Sequence, residues 1–160
     1  MIDIHQYIQN ILRENRLAID HRFHPGTCTG IEGIEDIINH WRSRQAFVLT
    51  DDIVTGETFR RGGAWYQRQT YTIFILHRHT YGNETQRHQA LTLCRTLQRQ
   101  LMSRIIADAH RWQDTMAIVD LERMPTTDIG FYAAAGCTGC YFMLNIDTPT
   151  NLTLDPDEWL

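Results

Sequence analysis

The sequence predicts an α+β fold: a mainly antiparallel sheet of about four strands, with a long helix and an N-terminal helix packed on it. Three observations predict it. The run YTIFIL at 71–76 is continuously apolar, as a central strand covered on both faces would be. A single long helical pattern follows over 85–111. The predicted elements then run helix, short helix, strand, strand, long helix, strand, strand, with too little alternation for a doubly wound parallel sheet. The 160 residues read as one domain, 1–160.

Residues 3–16 place Ile4, Ile8, Ile11 and Leu12 at helical spacing, with Asp3 as the N-cap. The stretch DHRFHPGTCTG, 20–30, is rich in turn formers and reads as a loop. A short helix fits 32–41, with Ile34, Ile37, Ile38 and Trp41 on one face, and a compact strand fits 46–50. Glycines at 56, 62 and 63 punctuate an exposed hairpin or flap over 55–65, expected to be mobile in a monomer. The strongest strand signal spans 65–79. Tyr81-Gly82-Asn83 breaks it, and Asn83 with Gln86 proposes a capping box for the long helix, whose start also carries Glu84. Its inward stripe is Ala90, Leu93, Cys94, Leu97, Leu101 and Ile105; His88, Thr92, Arg95 and Arg99 face out. Strands fit 116–122 and 140–147, separated by a loop with Pro125 and Gly130, and 149–160 reads as an irregular tail.

Hydrophobic content of 42% and charged content of 21% are those of a soluble globular chain. The net charge of −4 argues against a general nucleic-acid binder. All 15 basic residues are arginine, so no lysine base, Schiff base or P-loop lysine is available within these residues. No apolar run approaches the roughly 18 residues of a membrane helix. The opening MIDIHQYIQN lacks the basic flank and apolar run of a signal peptide, and a cytoplasmic location is the expectation.

The Cys137-x-x-Cys140 spacing is one that zinc sites and dithiol enzymes use. A zinc site needs more ligands, Cys28 and Cys94 stand apart, and the pair sits among small residues before an apolar strand. The expectation is a tight turn or bulge feeding that strand, with metal and redox chemistry as rivals. His77 and His79, two apart on a strand, project to one side and are metal candidates, with His88 or Glu84 as a third ligand. His21 and His24 carry the same ambiguity. Asp51-Asp52 reads as a solvated turn, and Arg60-Arg61 before Gly62-Gly63 as a loop tip rather than a phosphate cradle. No complete catalytic constellation occurs and no cofactor is expected.

Interaction surfaces are better marked. Arg104 and Asp108 share the arc of Leu97 and Leu101, as an intrahelical ion pair or as a helix end lying on another subunit. Phe59, Arg60, Arg61 and Trp65 in the flap have the aromatic and arginine character of interface anchors.

The order of elements resembles that of the tail-completion or tail-terminator proteins of tailed bacteriophages. The stretch QTYTIFILHRHTYGNETQRHQALTLCRTLQRQL, 69–101, is the most similar, with the closing YFMLNID, 141–147. The resemblance implies a non-enzymatic structural protein of a phage or prophage, one that caps a tail tube, often as a ring, and helps join tail to head. Its partners would be itself and other tail or head proteins, without membrane or sequence-specific nucleic acid. It would act in the bacterial host cytoplasm and in the virion. The alternative is a metal-dependent enzyme or metal-binding domain built on His77 and His79.

Overall fold

In the computed structural model, which describes residues 2–132 and 136–160, two long antiparallel strands run through the middle of a seven-stranded sheet. They are β4 (Ala64–Arg78) and β7 (Cys137–Pro149), paired from Tyr66↔Pro149 to Arg78↔Cys137. One edge of β4 is shared by two strands. β3 (Thr55–Arg61) pairs with its first half and β2 (Ala46–Asp51) with its second. The outer edge of β7 is likewise shared by β5 (Ile118–Val119) and β6 (Thr126–Tyr132).

The sheet is larger than the four strands expected and mixed rather than wholly antiparallel. The parallel pair is β1 (Phe23–Cys28) with β2, joined by helix α3 (Gly30–His40) as a crossover, the connection that parallel neighbours require. β1 lies in the stretch expected to be a loop. Its Pro25 lacks an N–H, which an edge strand tolerates because that side faces away from the ladder. Its Gly26 leaves room for Trp41, where a Cβ would come 3.1 Å from the indole ring.

Helix α1 (Ile4–Glu14) starts as expected: Asp3 Oδ1 accepts the Gln6 N–H at 3.0 Å. A further short helix, α2 (Arg16–Asp20), is capped by Asn15, whose Oδ1 accepts the Ala18 N–H. The long helix α4 (Glu84–Asp108) is capped by Asn83 through the Gln86 N–H. The Gln86 side chain accepts from the Thr80 N–H, three residues before the N-cap, while the Asn83 N–H bonds to the Thr80 carbonyl, so the expected capping box does not close. α4 then tightens into a 3-10 segment, Ala109–Thr115.

The two sheet faces bury separate cores. On the first, Ile8, Ile11, Leu97, Leu101 and Ile105 of α1 and α4 pack on Val48, Ile73, Ile75, Phe142 and Leu144. On the second, Ile34 and Ile38 of α3 pack on Phe47, Leu49, Phe74 and Leu76. The alternation Ile73, Phe74, Ile75, Leu76 feeds the two cores in turn, which is why that run carries no polar residue. α3 covers only part of the second face. Toward the hairpin end, Tyr66, Arg68, Thr70, Thr72, Met143 and Asn145 are half-buried side chains with no described helix packed over them.

Candidate functional site

The uncovered part of the second face is organised around Asp147. This carboxylate is 2% exposed and accepts a bidentate pair from Arg68, at 2.7 and 3.0 Å, and a third bond from Arg61 at 3.3 Å. Arg68 stands directly across β4–β7 from Asp147. Both guanidiniums also lie over the Phe59 ring, Arg61 at 5.0 Å and Arg68 at 5.6 Å, and Phe59 stacks on Tyr66 at 5.8 Å. The 55–65 segment is therefore a paired hairpin clamped to β7, not a free flap.

Strand alternation splits its four candidate anchors. Phe59 and Arg61 face the Asp147 clamp. Arg60 and Trp65, directly opposite each other, project to the other side, where Trp65 is 42% exposed. Arg60 bonds within its own turn, from Nε to the Gly63 carbonyl. Arg68, Tyr66 and Asp147 were not singled out from the sequence. An Arg and an Asp 79 residues apart in the chain meet only through strand register.

Arg104 and Asp108 form the intrahelical pair, at 2.6 Å, and extend it to α1 of the same chain. The Tyr7 hydroxyl donates to Asp108 at 3.1 Å, Arg104 reaches Glu14 at 3.1 Å, and Arg111 approaches Asp108 at 3.6 Å. Burial pushes the Asp108 carboxyl up, but hydrogen bonds from Arg104 and Tyr7 and the charges of Arg104 and Arg111 hold it below the usual carboxylate range. Asp108 thus ties α4 to α1, and the helix end rests on its own subunit.

β4 ends at Arg78, so His77 is its penultimate residue and His79 lies just past it. His77 is turned inward, with its ring against Phe23 and its Nδ1 2.6 Å from the Arg78 carbonyl. Burial lowers its pKa below the ordinary histidine value, with the His21 and His79 charges adding to this. The His79 Nδ1 lies 3.2 Å from the Thr80 carbonyl, and His88 is exposed on α4. Among the described residues no three His, Cys, Asp or Glu side chains converge as metal ligands. His24 packs edge-on against Trp41 at 4.2 Å, and burial beside Arg44 lowers its pKa.

Cys137 and Cys140 lie within β7 and point into opposite cores. Three strand steps separate their Cα atoms by about 10 Å, beyond the reach of a disulfide or a shared ion. Burial pushes the Cys137 thiol up to about 11 and Cys140 up to about 12. Such thiols are poor nucleophiles at neutral pH. The pair was expected to form a turn or bulge and is regular strand instead, because it pairs with β4 in unbroken register. Gly136, at φ +60°, precedes it, and the register shift lies in β6 between Ile129 and Tyr132. Residues 133–135 of that small-residue stretch lie outside the described residues. Asp51 and Asp52 order the chain after β1: Asp51 accepts the Gly30 and Ile53 N–H groups, and Asp52 accepts the Thr29 hydroxyl.

The geometry defines an α+β protein whose most developed surface is an arginine–aromatic hairpin beside an uncovered sheet face. Compared with known proteins, the chain matches no family model and no curated protein. Among the described residues no helix is long and apolar enough to cross a membrane.

Proposed function

We propose that the chain is a non-enzymatic structural protein of a phage or prophage tail or head–tail junction, acting through protein–protein contacts. The observation that carries this reading is the β3–β4 hairpin, where Asp147 fixes Arg61 and Arg68, and these lie against the stacked Phe59 and Tyr66, beside a sheet face that no described helix covers. Ordered aromatic and arginine side chains at a sheet margin are the composition of interface centres rather than of solvated loops. The resemblance of the element order to tail-completion proteins supplies the kind of partner. A rotationally symmetric tube is matched by a closed ring built from one repeated heterologous contact.

Electron microscopy of particles assembled with and without the gene tests the reading. Its loss should leave unjoined heads and tails, or tails without a regular end; particles of normal form and yield would overturn it. Chelation separates the rival metal reading. A protein with no bound metal keeps its melting temperature in chelator, because a ligand stabilises the native state by mass action. A drop of several degrees would transfer the argument to His77 and His79.

A further inference from the structure

Past Pro149 the chain leaves the sheet. The Thr150 N–H still donates to the Trp65 carbonyl at 3.0 Å, and residues 151–160 are exposed throughout. The segment is not a polar tail. Leu152, Leu154 and Trp159 are 53, 68 and 70% exposed, and between them lie Asp155, Asp157 and Glu158 with no basic residue. It also has local form: Asp155 caps a 3-10 turn at Pro156–Glu158, its carboxylate accepting the Asp157 N–H at 3.0 Å. Apolar side chains displayed around an acidic turn are complementary to a surface that is apolar and basic.

The chain carries such a surface on the outer side of α4. From Thr85 to Ala107 every charged residue of that helix is an arginine. Arg87 pairs with Glu84, Arg95 with Asp128, and Arg104 with Glu14 and Asp108. Among the described residues Arg99 pairs with no carboxylate. Beside it, a groove of about 580 Å³ runs between α4 and the start of β6 at Thr126, with Met102 and the 49% exposed Ile106 on its wall. Gln98 also lines it, and the Gln98 Oε1 is buried with no donor among the described residues. An indole N–H is a donor of the kind that atom lacks.

We propose that this groove receives the 151–160 segment of a second copy of the chain. Trp159 and Leu154 lie against Met102 and Ile106, and the Asp155–Glu158 turn sets its carboxylates on Arg99. Tail and groove are different surfaces, so the contact is heterologous and leaves each copy with one free tail and one free groove. It closes into a ring where the rotation per copy divides a full turn. The inference deepens the ring reading above by naming its contact.

Sedimentation velocity on the full chain across a concentration series is the test, with three proteins. One is unaltered, one carries Leu154→Ser and Trp159→Ala, and one carries Arg99→Glu and Ile106→Asp; all the altered positions are exposed, so thermal melts should coincide. The unaltered protein should assemble with rising concentration. Each altered protein alone should need at least tenfold more to do so. Mixed in equal amounts, the two should stop at a heterodimer, since the pair holds one intact tail and one intact groove. Association that neither set of substitutions weakens, or a mixture that stays monomeric, overturns the tail contact and leaves ring assembly to the hairpin. An unaltered protein that is monomeric at every concentration removes both.

Discussion

Gly139 lies in β7 directly across from Leu76 of β4. A Cβ placed there would stand 1.9 Å from the Ile75 carbonyl oxygen and 2.9 Å from its carbon. Those are backbone atoms of the central pair, so no side-chain rotation relieves the contact. Gly139→Ala should therefore cost about 3 kcal/mol or more, in the range of severe overpacking. Gly130→Ala, where a Cβ meets nothing within 4 Å, is the control and should change little. Equal stability of the two variants in urea titration would show that β7 stands further from β4. His77 carries a second expectation at this scale. Its folded-state pKa is depressed by burial, so it stays neutral in the native protein while the unfolded chain takes up a proton below about pH 6.5. Its contribution is thus present above that pH and is lost as pH falls toward the depressed value. The unfolding free energy should drop as pH falls below about 6.5, and His77→Gln should flatten that slope. His24, lowered for the same reason, adds to that slope. An unaltered slope in His77→Gln would remove His77 from this account.

At the scale of elements, Arg78 is what fastens α3 to the sheet. The Arg78 side chain donates to the carbonyls of Ile38 at 2.6 Å, Trp41 at 3.3 Å and Arg44 at 2.7 Å, and its guanidinium lies over Phe47. These carbonyls end α3 and begin the loop to β2, where a helix has no partners of its own. Arg78→Lys supplies one compact ammonium for a planar fork that reaches several acceptors. It should cost about 2 kcal/mol, given about 1 kcal/mol per net hydrogen bond and more for charged ones. Amide exchange should accelerate in 30–41 before it does in α4. Uniform acceleration over both helices would mean that Arg78 acts on the whole sheet instead. This role was hidden in the sequence, where Arg78 stands between two histidines and invites a metal reading. Its acceptors lie more than thirty residues upstream.

At the scale of the molecule, helices α1, α3 and α4 and their faces were legible in the sequence, α2 was not, and the sheet was legible only in its middle. α1, α3 and α4 follow from apolar spacing within a turn or two, and the Asp3 and Asn83 caps from residues three positions apart. The Tyr71–Leu76 run announced a strand covered on both sides for the same local reason. The lack of lysine, the arginine-only surface of α4 and the acidic apolar segment at 151–160 are also properties of the chain order alone. β1 and β6 were not legible. Pro25, Gly26 and Gly130 are turn formers by their neighbours, and become strand residues because β2 and β7 offer edges to pair with. The Cys137–Cys140 stretch, expected as a turn or bulge, is strand instead, and its two thiols enter different cores. In the same way the hairpin divided Phe59 and Arg61 from Arg60 and Trp65, and register brought Arg68 to Asp147. Caps and helical faces are set by contacts between near neighbours, which a sequence displays. Strand pairing, the side on which a residue emerges and the partner of a buried charge are set by segments far apart in the chain, and only the closed sheet decides them.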